Sequence, residues 1–161
     1  MQDYHPTIIY RHRRENLKKC SLRGLECRSD IHFFTYPKDL LPSLVGYIVL
    51  EMDAPEISAE DAGRGLCLFD ATWRYAEVMA NQSQPALEGT VKRSIPKNIR
   101  TAYPRRQDDC PDPELGLASV EALFVAYYIL GRPTEGLLDN YFWKDSFLKQ
   151  FLKLDFYRSI C

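Results

Sequence analysis

The apolar run Leu66-Cys67-Leu68-Phe69 ends abruptly in Asp70, and Thr72 and Trp73 follow at once. A carboxylate, a hydroxyl and an indole grouped where such a run stops are the ingredients of a site. The carboxylate takes a proton or balances a positive charge, the hydroxyl donates and accepts, and the indole offers an apolar wall. Ligands of open parallel sheets bind outside the carboxyl ends of the strands, and Asp70 stands at such an end if 66–69 is a strand. The same residues have a structural use of equal weight. Asp70 or Thr72 would N-cap a helix over Trp73–Met79, with Trp73 in the core.

The elements that must position these residues are legible as apolar patterning. Thr7–Tyr10, Ile31–Thr35, Tyr47–Leu50 and Leu66–Phe69 read as strands. Their nearly continuous apolar character suits parallel strands covered on both faces. Between the last two, 51–65 is acidic, and Ser58-Ala59-Glu60-Asp61 has the make-up of a capped short helix. From Trp73 onward the pattern turns helical. Ser119 to Leu130 has a Ser N-cap, Glu121 in the first turn and Gly131 at the end, a full helix signature. A further helical stretch is predicted from Pro133 through Leu137, Leu138, Phe142, Phe147, Leu148 and Phe151. The segment 102–117, rich in Pro and Asp, reads as one long loop.

The 161 residues suffice for one domain or two closely packed lobes, and 45% apolar with 27% charged residues is the make-up of a globular chain. Five cysteines form neither a C-x-x-C pair nor a Cys/His spacing that would hold zinc, so reduced thiols and no metal are expected. The histidines at 5, 12 and 32 are isolated and read as surface or core. The aromatics Phe142, Trp143, Phe147, Phe151, Phe156 and Tyr157 recur at helical spacing and are assigned mostly to core. Glu121 reads as a stabiliser of its helix N-terminus, with a minor substrate role open. The first residues carry no apolar signal core, and no window approaches a membrane span. The expectation is a cytoplasmic protein with no membrane association, and a monomer.

The formal net charge of −1 hides two basic tracts. Residues 11–28 hold Arg11, Arg13, Arg14, Lys18, Lys19, Arg23 and Arg28 against Glu15 and Glu26. Residues 92–106 hold Lys92, Arg93, Lys97, Arg100, Arg105 and Arg106 with no acid. Interleaved with Tyr10, His12 and Tyr103, they suit phosphates and a splayed base. A solvated charged face is the alternative reading of either run alone.

The segment Asp70-Ala71-Thr72-Trp73-Arg74-Tyr75-Ala76 resembles the D-x-[S/T]-W signature of the SPOUT-like RNA aminocarboxypropyltransferases, the ribosomal RNA enzymes and their DTW-domain tRNA relatives. Lys18-Lys19-Cys20-Ser21 with Leu25 is similar to that family's loop after its first strand. Ile95-Pro96, Tyr103-Pro104, Leu117 with Glu121-Ala122, Tyr128 to Gly131, Leu137-Leu138 and Phe142-Trp143 continue the likeness in the family's order, nearer the ribosomal RNA branch. Asn16-Leu17 stands where the family has Asp-Pro, and Ala102 to Gln107 replaces its A-N-P-x-N-Y-G segment.

The resemblance implies an α/β fold: an N-terminal parallel-sheet lobe over 1–90, and an all-helical lobe over 91–161 that completes a deep trefoil knot. It implies S-adenosylmethionine as cofactor, held by Ser21, Phe69, Thr72, Trp73, Ala76, Ile95, Leu117, Ala118 and Ser119, with Asp70 as base or orienting group. The reaction implied moves the aminocarboxypropyl group to N3 of a uridine-type base in ribosomal RNA, free or in a pre-ribosomal subunit. Arg11, Arg13, Arg14, Lys18, Lys19, Arg23, Arg100, Tyr103, Arg105 and Arg106 are the candidate RNA contacts. The same transfer on tRNA, a methyl transfer, and a noncatalytic RNA-binding module in ribosome assembly are the other readings.

Overall fold

Four short apolar segments and one basic one come together as a single five-stranded sheet in the computed structural model, which describes residues 4–14, 17, 20–104 and 116–154. The strands are β1 (Thr7–His12), β2 (Ile31–Tyr36), β3 (Ile48–Leu50), β4 (Leu66–Asp70) and β5 (Val91–Arg93). Their order is β2-β1-β4-β3-β5 and every pairing is parallel. Helices α1 (Trp73–Gln82) and α2 (Gln84–Leu87) follow β4, and α3 (Ser119–Leu130) and α4 (Lys144–Phe151) close the described chain.

The strands are apolar throughout because both sheet faces are covered. Ile9, Leu66 and Leu68 point into the larger core with α3 and α4, whereas Ile8 and Cys67 point into a smaller one with Leu44. Helix α3 has nine of its twelve residues buried, as expected of a helix that is apolar on all sides. It ends as the sequence predicts, with Gly131 left-handed at φ 73° and the Arg132 N–H returning to the Tyr127 carbonyl. Phe147 and Phe151 of α4 pack against Phe124 of α3.

Four expectations need correction. Ser119 is the first helical residue of α3 and not its N-cap, a place taken by Ala118, because the Ser119 hydroxyl donates to Asp70 instead. The sheet continues past residue 90: Val91–Arg93 is an edge strand on β3, so the chain beyond 91 is not helical throughout. Between Pro133 and Trp143 there are turns rather than a helix, because Gly136 adopts φ 82°, which interrupts any helical run. Phe142 is 85% exposed and is not core. Phe156 and Tyr157 lie outside the described residues. The segment Ala59–Asp61 is a single helical turn whose Ser58 and Asp61 form the reciprocal cap that the sequence predicts.

Candidate functional site

The strand order places a topological switch point between β1 and β4. From β1 the chain leads to β2 on one side, and from β4 it leads through α1 and α2 to β5 on the other. Connections that diverge in this way open a crevice at the carboxyl ends of the two strands, where ligands of such sheets bind. Arg11 of β1 and Asp70 of β4 are register partners at that point.

Asp70 is 3% exposed and does not cap α1. Its Oδ2 accepts the Arg11 Nε–H at 3.2 Å and the Cys20 thiol at 3.2 Å, and its Oδ1 accepts the Ser119 hydroxyl at 2.8 Å. A carboxylate oxygen has two acceptor positions, so Oδ2 is filled and Oδ1 keeps one. Burial, and then the Asp70 charge, push the Cys20 thiol up to about 12, which keeps it a neutral donor. Burial works against the Arg11 charge, yet Cys20, ionised only in the alkaline range where arginine titrates, and Asp70 outweigh that and raise its pKa.

Three chain segments converge here. The loop after β1 brings Cys20 and Ser21. The end of β4 brings Asp70 and, through Thr72, the start of α1. The first turn of α3 brings Ser119, beside Ala118 and Leu117. Ser21 Oγ accepts the Val120 N–H at 3.2 Å, which leaves the Ser21 hydroxyl proton to donate elsewhere. Thr72 is the N-cap residue of α1 by backbone conformation, with no side-chain cap bond, so its hydroxyl is not spent on the helix. Trp73 is 38% exposed and not core; Arg74 lies over its ring at 5.4 Å. Ala76, one turn along α1, is half-buried, as is Phe69. Ile95 and Leu117 are half-buried against the larger core.

Glu121 has a larger part than its place in the first helical turn announces. It is fully buried and accepts from Thr101 Oγ1 (2.6 Å), the Ala102 N–H (2.8 Å), the Ala118 N–H (2.8 Å) and the Tyr141 hydroxyl (3.0 Å). Both flanks of 103–117 are thereby tied to α3, and all four acceptor positions of the carboxylate are filled. That leaves no position on Glu121 for a substrate.

The expected RNA contacts divide. Arg13, Arg14, Arg23 and Arg100 are exposed, and Tyr103 is half-buried. Arg11 is 7% exposed and committed to Asp70, so it does not face a phosphate. Lys18, Lys19, Arg105 and Arg106 lie outside the described residues. Two cations of the second tract already have acids from elsewhere in the chain: Arg93 pairs with Asp61 at 3.1 Å and Lys92 with Glu51 at 3.6 Å. His12, read from sequence both as part of the basic tract and as surface or core, is buried: its ring stacks on Tyr75 at 4.1 Å and its Nδ1 accepts the Arg14 N–H. Burial, then Arg14 and Arg13, lower its pKa, so it is neutral at pH 7. Arg14 also donates to the Tyr75 hydroxyl at 3.2 Å, so an exposed cation and the ring that covers His12 are held together at the end of β1.

Among the described residues no group of His, Cys, Asp and Glu has the arrangement of a metal site, and no helix is long and apolar enough to cross a membrane. No protein-family profile matches the chain, and no curated protein is significantly similar to it. Among solved structures it is similar to the SAM-dependent rRNA:acp-transferase Tsr3 from Vulcanisaeta distributa. The TM-score is 0.69 and the identity 22%, over 92% of this chain and 79% of that one. At that identity the likeness is one of fold.

Proposed function

We propose that this protein transfers the 3-amino-3-carboxypropyl group of S-adenosylmethionine to N3 of a uridine or modified uridine in ribosomal RNA, with release of 5′-methylthioadenosine. The observation that carries the reading is the meeting of Asp70, Ser119 and the loop residue Ser21 at the β1/β4 switch point, where Ser119 donates to Asp70 and Ser21 accepts from the next residue of the same helical turn. The fold likeness to a structure described as an SAM-dependent rRNA:acp-transferase supports it. So does the order of the sequence motifs. The trefoil knot belongs to the same proposal.

The donor set fits the cofactor. Ser21 keeps a hydroxyl proton for a carboxylate, Thr72 has a hydroxyl not used by its helix, and Trp73 gives an apolar wall for an adenine or a methylene chain. Backbone groups of 117–119 and the half-buried Ile95 complete the wall, and Ala76 leaves room where a larger side chain would intrude. When bound, S-adenosylmethionine supplies an alkyl group activated by its sulfonium.

This chain's own residues account for orientation and for the proton. Orientation of the chosen carbon toward the entering nitrogen decides which group moves, and the walls from α1 and α3 impose it. Oδ1 of Asp70 keeps one acceptor position, enough to take the proton of a ring N–H or to hold it by a hydrogen bond. Because Arg11 already balances Asp70, the crevice does not carry a lone buried charge. Arg13, Arg14, Arg23 and Arg100, with Lys18, Lys19, Arg105, Arg106 and Tyr103, are the proposed RNA contacts, in a monomer acting in the cytoplasm.

The test is mass spectrometry of nucleosides from ribosomal and transfer RNA of cells with and without the gene, together with calorimetry of S-adenosylmethionine on the purified protein. An aminocarboxypropyl-uridine-type nucleoside that disappears from ribosomal RNA with the gene is the expected result. Loss from transfer RNA alone moves the substrate, and loss of a methylated base moves the reaction. Absence of binding up to millimolar cofactor ends the proposal.

A further inference from the structure

We propose that Arg11 is a positioning residue: its buried guanidinium, braced by Glu26, clamps Oδ2 of Asp70 so that Oδ1, with the Ser119 hydroxyl on it, is the oxygen left to act. The inference rests on the reading of Asp70 given above and adds the part that sets its orientation.

The bonds around Arg11 form a fork on one side of the carboxylate. Nε donates to Asp70 Oδ2 at 3.2 Å, Nη2 lies 3.5 Å from Cys20 Sγ, and Nη1 lies 3.5 Å from Glu26 Oε1. The face of the guanidinium rests over the Phe33 ring at 4.6 Å. Glu26 is itself tethered, since its other oxygen accepts the Gly24 N–H at 2.8 Å. Cys20 closes the arrangement by donating its thiol to the same Oδ2. The Arg11 and Asp70 side chains are 9% and 5% exposed, whereas Glu26 is 45% exposed.

Two consequences follow from this geometry. A carboxylate held only by Ser119 is free to rotate about its terminal torsion, whereas a second pair of donors on the opposite oxygen fixes the plane of the group. A planar fork with several N–H directions is required to meet Asp70, Cys20 and Glu26 together, and an ammonium in the same place supplies charge without that shape. Arg11→Lys therefore separates charge balance from orientation. Glu26→Gln removes the charge of the brace at an exposed position and leaves one acceptor oxygen for two donors, Arg11 and the Gly24 N–H.

The experiment joins a spectroscopic and a kinetic arm. With arginine side chains labelled with nitrogen-15, the Arg11 Nε–H signal is assigned by its loss in Arg11→Lys. It is expected to exchange slowly, to move in Asp70→Asn and to move on addition of S-adenosylmethionine. In Arg11→Lys, single-turnover release of 5′-methylthioadenosine is expected to fall about 100-fold, the usual cost of a misplaced group, with cofactor affinity changed less than about threefold. Glu26→Gln is expected to lie between the two. Wild-type turnover in Arg11→Lys overturns the proposal, and so does a loss of rate matched by an equal loss of cofactor affinity. If Arg11→Lys does not fold, Glu26→Gln decides by the same split. If the wild-type protein transfers nothing to RNA, the reaction reading fails by itself. The Arg11 signal then decides alone, and one indifferent to Asp70→Asn overturns the clamp.

Discussion

Ser21 caps helix α3 from a distance of 99 residues: its Oγ accepts the backbone N–H of Val120 at 3.2 Å. The N-cap residue of that helix is Ala118, which has no side-chain acceptor, so the helix borrows its cap from the loop after β1. The same loop carries Cys20, which donates to Asp70, and Asp70 in turn accepts from Ser119 in the first turn of α3. Loop, strand end and helix start are thus fixed against each other by a closed circuit of side chains.

Ser21→Ala is expected to destabilise the protein by about 1 kcal/mol, the usual value of a lost cap. It should also weaken S-adenosylmethionine binding, because the hydroxyl proton left over from the cap is lost as well. Ser21→Thr should restore both. Denaturant unfolding and calorimetry on the three proteins check this. An Ala variant with reduced stability and unaltered affinity would leave Ser21 as a cap alone.

Glu121→Ala removes the acceptor of four donors at once, in a position with no solvent to replace it. A cost of about 3 kcal/mol or more is expected for stranding such groups. Glu121→Gln keeps the shape but turns an amide N–H toward at least one of those donors, so it should recover only part of the loss. Chemical denaturation with circular dichroism measures both. A Glu121→Gln variant as stable as the wild type would mean that the carboxylate charge is not needed there.

What the sequence disclosed depended on the period of each signal. The four apolar strands were legible because each is a nearly continuous apolar run bounded by polar residues, and α3 because its long apolar pattern has sharp ends. Strand β5 was hidden because Val91–Arg93 is three residues long with two cations, and its edge position is justified only by pairing with β3. Arg11 was assigned to a basic surface because the first strand was ended at Tyr10. Continued by two residues, the strand period puts Arg11 in phase with Thr7 and Ile9, which face the helices. No local pattern pairs it with an acid 59 residues away. Glu121 was correctly read as support for its own helix, but three of its four bonds reach beyond that helix and leave no trace in local spacing.

Alkaline pH should weaken the fold through its buried thiols. Burial, first in each case, pushes both Cys20 and Cys67 from 9.0 up to about 12. Between those values the unfolded chain loses thiol protons that the folded one keeps, so stability falls as pH rises. The slope reaches about 1.4 kcal/mol per pH unit for each thiol. Below pH 9 this contribution is fully present. Urea midpoints from pH 8 to 11 should fall more gently in Cys67→Ala than in the wild type once the neutral-pH difference is subtracted; equal slopes would show that Cys67 does not titrate in that window.

Trp73→Ala should cost less stability than loss of a buried aromatic, since the indole is 38% exposed and carries Arg74 over its ring. Its effect should fall on S-adenosylmethionine instead, for which a micromolar affinity, roughly −8 kcal/mol, is expected in the wild type. Calorimetry beside thermal unfolding separates the two. A large drop in melting temperature with unaltered affinity would return Trp73 to the core.

Asp70→Asn discriminates among the uses a carboxylate has at a strand end. Asn caps a helix about as well as Asp, so a capping Asp70 would tolerate the change in both stability and turnover. The geometry instead makes it the partner of a buried guanidinium, and removing its charge leaves Arg11 with the half-exposed Glu26, 3.5 Å away, as its counter-charge, at a cost of about 3 kcal/mol. If Oδ1 also takes or holds the substrate proton, transfer should fall by about 100-fold or more, with most cofactor affinity retained because Ser21, Trp73 and the backbone of 117–119 are untouched. Melting temperature and single-turnover release of 5′-methylthioadenosine, measured on one preparation, read the two effects separately. A destabilised variant with full turnover would make Asp70 structural, because the ion pair would then explain the loss of stability while nothing in the reaction depended on the carboxylate.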